Sequence, residues 1–497
     1  MRSAATLAAA TGALVASVAQ AQVVQWDIVK RQTAPNTLTR RQSNTFTEVI
    51  TNEKLRGGYF ATCSIGTPAQ NLTLQLDTGS SDIWVPSSSA SVCDDASQGG
   101  CSFGSFDSSK STTFTVVGKD EFTISYVDGS SSSGDYVADT FQIGGATLDN
   151  MTMGLGRKTD IPYGLVGVGY ALNEAIVAST QSTSNSYDNL PVLMQKQGLI
   201  KTNAYSLWLN DLDANTGSIL FGGIDTKKYQ GELSRIDIYK DSTSQAFTSF
   251  TVAMTSLQAV SSTGTDTLSS SAFPIPVVLD SGTTFSYLPT DLAEQVWKEV
   301  GAEYYADYGV PLIPCSMENS AGHFSFGLGG TGGPVINVTM DELVVSLADG
   351  DPYNFPDGSQ YAGMAACEFG VQNFSSSSST YLLGDTFLRS AYVVYDLVNN
   401  QIGLAPTDFN ATDSNVVAFA SDGAQIPSAT VAPNQAEITQ SGSLSSPTYG
   451  ASGGFKDDAD GGSSGASTLP PPFDWARIAV LGISMSCMMV GSGFFLL

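Results

Sequence analysis

The sequence predicts an all-β fold with a few short helices, arranged as two lobes, and three observations lead there. Between about residues 46 and 405, β-branched and aromatic runs alternate with Gly, Ser, Asn and Asp, the pattern of short strands joined by tight turns. Two alike hexapeptides, Leu76-Asp77-Thr78-Gly79-Ser80-Ser81 and Leu279-Asp280-Ser281-Gly282-Thr283-Thr284, stand about one domain length apart. Each is followed by a hydrophobic-Gly element, Leu165-Val166-Gly167 in the first half and Leu382-Leu383-Gly384 in the second, so the chain has weak internal symmetry. Its roughly 360 patterned residues suffice for two cores.

Phe122–Tyr126, Tyr136–Ile143, Tyr205–Leu209, Val277–Leu279 and Tyr392–Leu397 read as strands from their β-branched and aromatic content. Leu190–Gln197 and Thr290–Val300 read as helices, the second beginning after Pro289 with acidic residues in its first turn. The lobe boundary is expected near Gly223–Lys228, giving an N-terminal lobe over 46–225 and a C-terminal lobe over 226–408. In each hexapeptide a hydrophobic strand end delivers an Asp into a turn of small residues. There hydroxyls and backbone N–H groups can hold a carboxylate, and a second copy of the loop can approach closely. If the two loops meet face to face, Asp77 and Asp280 share one site, and like charges force one proton to be shared between them.

Several further motifs carry a family resemblance. Asp77-Thr78-Gly79-Ser80-Ser81-Asp82-Ile83-Trp84-Val85-Pro86 is preceded by Gly58-Tyr59-Phe60 and Ile65-Gly66-Thr67-Pro68-Ala69-Gln70. Ser125-Tyr126-Val127-Asp128-Gly129-Ser130 follows, and Leu382-Leu383-Gly384-Asp385-Thr386-Phe387-Leu388-Arg389, Val394-Tyr395-Asp396 and Ile402-Gly403-Leu404-Ala405 close the pattern. In order and spacing, roughly residues 55 to 406 resemble the pepsin-like aspartic peptidases. The resemblance implies a bilobal fold of two β-barrel-like lobes with the active-site cleft between them. It implies catalytic roles for Asp77 and Asp280 in hydrolysing protein and peptide substrates, without a cofactor or metal. Thr78 and Ser281 match the crossed hydroxyl pair that locks the loops, Ser80 and Thr283 the outer hydroxyls, and Gly79 and Gly282 positions that leave room for the substrate backbone. Tyr126 matches the tyrosine of the flap that closes over substrate, with Trp84 below it and Asp128-Gly129 at the tip. The resemblance also implies disulfides Cys93–Cys101 and Cys315–Cys367, leaving Cys63 as a small buried residue.

The terminal segments suggest export and attachment. Residues 1–21 read as a signal peptide: Arg2, an Ala/Leu/Val run, then Ala19-Gln20-Ala21. Residues 22–45 are polar, carry Lys30-Arg31 and Arg40-Arg41, and read as a propeptide with a mature start near Gln42. Residues 409–465 are Ser-, Ala-, Thr- and Gly-rich and read as a flexible stalk. Residues 466–497 read as a GPI-attachment tail with candidate sites Gly462, Ser463 and Ser464; a retained membrane helix is the competing reading. Sequons begin at Asn71, Asn150, Asn337, Asn373 and Asn410.

A lipid-anchor signal together with Asp128 is most similar to the yapsin-like group of fungal surface proteases, which cleave at single or paired basic residues. A flap carboxylate would favour a cationic substrate side chain; as an Asp-Gly turn, Asp128 would do no more than shape the hairpin. Formal net charge of −26 excludes nucleic-acid binding through a basic face. The single histidine, His323, excludes a metal site built on paired histidines and has no nucleophile motif beside it. The expected protein is therefore a monomeric aspartic endopeptidase of the secretory pathway, plasma membrane and cell wall. A broad-specificity secreted protease, or a non-catalytic wall protein on a protease fold, are the alternatives.

Overall fold

The computed structural model describes residues 23–31, 58–95, 100–126, 129–214, 216–347, 353–374, 381–435 and 447–456. Val24, Trp26 and Ile28 point inward on alternate positions of the strand Val24–Arg31, while Trp26 Nε1 donates to Thr62 O at 2.9 Å. That period-2 pattern lies inside the stretch expected to be a polar propeptide, and the strand belongs to the main sheet. It pairs antiparallel with Thr216–Phe221 on one side and with Gly58–Ile65 on the other.

The main sheet has 14 strands among the described residues and draws on both halves of the chain. Ala391–Asp396 pairs with Ala204–Trp208, and Gln401–Pro406 pairs with Leu233–Asp237. Near the expected lobe boundary, Gly223–Asp225 is a short strand paired with Val416–Ala418 in a separate two-stranded sheet, between main-sheet strands Thr216–Phe221 and Leu233–Asp237. The second half adds an eight-stranded sheet and a four-stranded sheet over Glu303–Tyr305, Val310–Pro314, Ala366–Phe369 and Val344–Ser346. The protein is all-β and bilobal, with short helices. Both expected helices form, as Leu190–Lys196 and Thr290–Val300; Gly301 ends the second at φ 73°. That left-handed conformation suits glycine, which has no Cβ to clash.

Residues 409–435 and 447–456 correct the expectation of a flexible stalk. Phe419 and Ile426 are buried against Trp208, Leu233 and Tyr392, and Ala429–Val431 pairs parallel with Leu233–Asp237. Asp266 accepts from Thr448 N at 3.1 Å, Thr448 Oγ1 at 2.5 Å and Ala451 N at 2.6 Å. Phe455 stacks on Phe324 with ring centroids 5.5 Å apart, over Gly322, where any Cβ would overlap the ring. Low average hydrophobicity misleads here, because a few well-placed apolar side chains and one buried acceptor are enough to dock the segment.

Burial alone would raise the Asp266 carboxyl, but donors from 448–451 hold it below the usual range. A depressed carboxylate stabilises above its unfolded pKa and ceases to as pH falls through the folded value. Asp266→Ala is expected to free the amides of Thr448 and Ala451 to fast hydrogen exchange, and in the parent chain the same protection should fade below pH about 4. Phe455→Ala is expected to cost about 3 kcal/mol in urea unfolding.

Candidate active site

The strand Gln70–Asp77 ends on Asp77 and runs parallel to Gly164–Gly167. In the second half, Ile275–Leu279 runs parallel to Tyr381–Leu383, and Asp280 N donates to Leu383 O at 3.1 Å. The two hydrophobic-Gly elements thus back the two Asp loops in the same way. A Cβ on Gly167 would lie 2.6 Å from Ser81 N, and one on Gly384 would overlap the carbonyls of Thr283 and Phe285. Only glycine lets the backing strand come so close.

The loops are locked by crossed hydrogen bonds. Thr78 N donates to Ser281 Oγ at 3.2 Å, and Ser281 N donates to Thr78 Oγ1 at 2.9 Å. Each hydroxyl then donates onward, Thr78 Oγ1 to Leu279 O at 2.9 Å and Ser281 Oγ to Leu76 O at 3.3 Å. Four bonds between segments from opposite halves fix the separation of the two acids.

Asp77 Oδ1 accepts from Gly79 N at 2.8 Å, and Asp77 Oδ2 accepts from Ser80 Oγ. Asp280 repeats the arrangement with Gly282 N at 2.8 Å and Thr283 Oγ1. A Cβ built on Gly79 would sit 2.5 Å from Asp280 Oδ1, and one on Gly282 would overlap Asp77 Oδ1. Each glycine therefore makes room for the opposing carboxyl. Both carboxyls are fully buried. Burial, with the Asp280 charge added, pushes Asp77 well above the ordinary carboxylate range. Burial raises Asp280 as well, against the pull of the Thr283 and Gly282 donors. Such a pair retains one proton where isolated carboxyls would both have lost theirs. It presents an acid and a base side by side.

The hairpin of Thr115–Ser125 and Ser131–Ile143 carries Tyr126 at its end, and Trp84 Nε1 donates to Tyr126 Oη at 2.6 Å. Gly129 turns the chain at φ 80° and donates to Tyr126 O at 3.0 Å. Asp128 lies outside the described residues, as do Gly462, Ser463 and Ser464. Disulfides join Cys93 to Cys101 and Cys315 to Cys367, and Cys63 is a buried free thiol. Asn71, Asn150, Asn337 and Asn410 are exposed, while Asn373 is half-buried in a strand. Among the described residues no group of three His, Cys, Asp or Glu side chains is placed to hold a metal ion.

Sequence reasoning missed the residues that hold the first loop from outside. Asn173 Nδ2 donates to Gly79 O at 3.1 Å, and Ser81 Oγ donates to Tyr170 O at 2.7 Å. Asn173 follows Leu165-Val166-Gly167 closely in the chain, the one signal that pointed to it.

A family model described as eukaryotic aspartyl protease matches residues 58–407. The probable aspartic-type endopeptidase opsB of Aspergillus oryzae is 38% identical over 90% of this chain and 89% of that protein. The probable aspartic-type endopeptidase OPSB of Arthroderma benhamiae is 41% identical over 82% and 80%. Secreted aspartic protease 8 of Candida albicans is 37% identical over 72% and 77%.

Ser281→Ala removes one donor and strands the buried Thr78 N–H. It is expected to cost about 1–3 kcal/mol in urea unfolding, and Ser281→Thr, which keeps the hydroxyl, should cost much less.

Proposed function

Because this chain belongs to the eukaryotic aspartyl protease family and is an aspartic-type endopeptidase, we propose that Asp77 and Asp280 are its catalytic pair, that it works at acid pH in the secretory pathway and at the cell surface, and that it prefers bonds beside Lys or Arg. The facing of two buried carboxyls across Gly79 and Gly282 carries the catalytic reading. The ionised carboxyl takes a proton from a water bound between the pair while the protonated one donates to the scissile carbonyl oxygen, giving a tetrahedral intermediate. As the C–N bond breaks, the carboxyl that gained a proton passes it to the leaving nitrogen, while the other, now ionised, takes a proton from a hydroxyl of the collapsing intermediate, so the carboxylic acid product forms and the pair returns to one shared proton. Ser80 and Thr283 orient the outer oxygens; Tyr126, held by Trp84, closes over the peptide.

The preference for basic residues rests on Asp128, two residues past the flap tyrosine, where a carboxylate would pair with a substrate cation. Export rests on the residue pattern of 1–21 and on a relative named as secreted. Lipid attachment at Gly462, Ser463 or Ser464, as a monomer, rests on sequence pattern alone. We place propeptide processing at Arg40-Arg41 rather than Lys30-Arg31. Lys30 is paired in the sheet with Tyr59, its Nζ donates to Leu212 O at 2.7 Å, and burial lowers its pKa to about 8. Cutting there would require pulling a strand out of the sheet.

Incubating the mature enzyme with a peptide library across acid pH tests the whole reading. Asp77→Asn is expected to lower kcat by about 10²- to 10⁴-fold while the fold persists. Wild-type kcat should fall as pH rises through the raised range of the pair, where the shared proton is lost, and also in strong acid, where the base is protonated. Asp128→Asn is expected to lower kcat/KM for peptides with Lys or Arg before the cut by about tenfold, leaving apolar peptides unchanged. Equal loss on both classes would reduce Asp128 to a turn residue.

A further inference from the structure

A second pair of buried acids lies behind the first Asp loop. Asp82, five residues past Asp77 and fully buried, accepts from Ala175 N at 2.8 Å through Oδ2. Its Oδ1 accepts from Tyr187 Oη at 2.8 Å and Tyr136 Oη at 3.3 Å. Glu174, also fully buried, accepts from Tyr187 N at 2.8 Å through Oε2, while Oε1 has no hydrogen-bond partner. Two buried carboxyls that both accept from Tyr187, one with an orphaned oxygen, make an odd feature for a hydrophobic lobe.

Their place in the chain suggests what they do. The segment 168–175 wraps the outside of the Asp77 loop: Val168 N donates to Asp77 O at 3.0 Å, Gly169 N to Ser80 O at 2.9 Å, and Asn173 Nδ2 to Gly79 O at 3.1 Å. Asp82 then grips the far end of that segment at Ala175 N, and Glu174 ties it to Tyr187. Loop, wrapping segment and acids thus close a ring of hydrogen bonds around Gly79, whose missing side chain admits Asp280.

We propose that Asp82 and Glu174 are a positioning pair for peptide hydrolysis: through Asn173 they hold the Gly79 carbonyl, and hence the Asp77 loop, and they do so only while the pair is at least partly protonated. The groups facing the pair are Tyr136, Tyr187 and Asp188, the last bridged to Lys196 at 2.6 Å. Neither phenol can supply positive charge, and Lys196 is engaged with Asp188. Burial raises Asp82 to about 6; burial and then the Asp82 charge raise Glu174 to about 10. With folded values above unfolded ones, the pair's contribution is complete in acid and is lost as pH rises from about 4 through those folded values. Ionising both would leave two uncompensated charges beside the loop. The pair therefore sets an upper pH limit on the integrity of the site, apart from the titration of Asp77 and Asp280 themselves.

The two effects separate if enzyme is held at pH about 8 and then assayed in acid, because that assay reads surviving structure rather than dyad protonation. Glu174→Gln and Asp82→Asn, which cannot ionise, are each expected to slow alkaline inactivation about fivefold relative to the parent. Asn173→Ala is expected to lower kcat about tenfold at the acid optimum with KM within twofold, since it loosens the loop without touching substrate. If the parent and both neutral variants inactivate at one rate in alkali, the pair does not set the limit. If one neutral variant does not fold, the other reads the same quantity. Full kcat in Asn173→Ala would overturn the positioning role.

Discussion

The structure depends on one constraint: two carboxyls from distant parts of the chain must be brought together inside protein and kept there. Their repulsion and desolvation oppose folding, and burial raises both. What holds them is neutral and polar: crossed bonds between Thr78 and Ser281, backbone N–H groups of Gly79 and Gly282, and hydroxyls of Ser80 and Thr283. A lysine beside the pair would lower the cost but would also drive off the shared proton. Hydroxyls and amides orient the acids without removing it.

The rest of the fold follows from this requirement. Each Asp sits at the end of a strand backed by a parallel neighbour, and glycines are placed where backbone or carboxyl must pass close. The main sheet carries the Asp77 strand and the eight-stranded sheet the Asp280 strand, and the crossed bonds of Thr78 and Ser281 join the two loops directly. The hairpin of Thr115–Ser125 and Ser131–Ile143 carries Tyr126, which Trp84 holds by a hydrogen bond.

Much of this was legible from the sequence because the chemistry uses local signals. An Asp followed by small hydroxyl residues and glycine announces its own turn, and Thr290–Val300 announces its helix by Pro289 and the acidic residues of its first turn. What was not legible depends on partners far along the chain. Val24, Trp26 and Ile28 alternate, yet a polar segment with dibasic pairs outweighed that pattern. Phe455 and Ala451 sit in Ser/Gly-rich sequence, and nothing local says that Phe324 and Asp266 receive them. Asn173 and Glu174 gain their meaning only from Gly79 and Asp82, roughly a hundred residues earlier. The sequence suggests clearance for substrate at Gly79 and Gly282; that each also makes room for the opposite acid shows only in three dimensions.

Neutron diffraction from crystals grown in acid and exchanged into D₂O tests the central claim most directly. The account requires a single deuteron on the facing oxygens of Asp77 and Asp280, with a solvent molecule bridging them. Two deuterated carboxyls at the pH of maximal activity, or carboxyl groups turned into separate cavities, would contradict it.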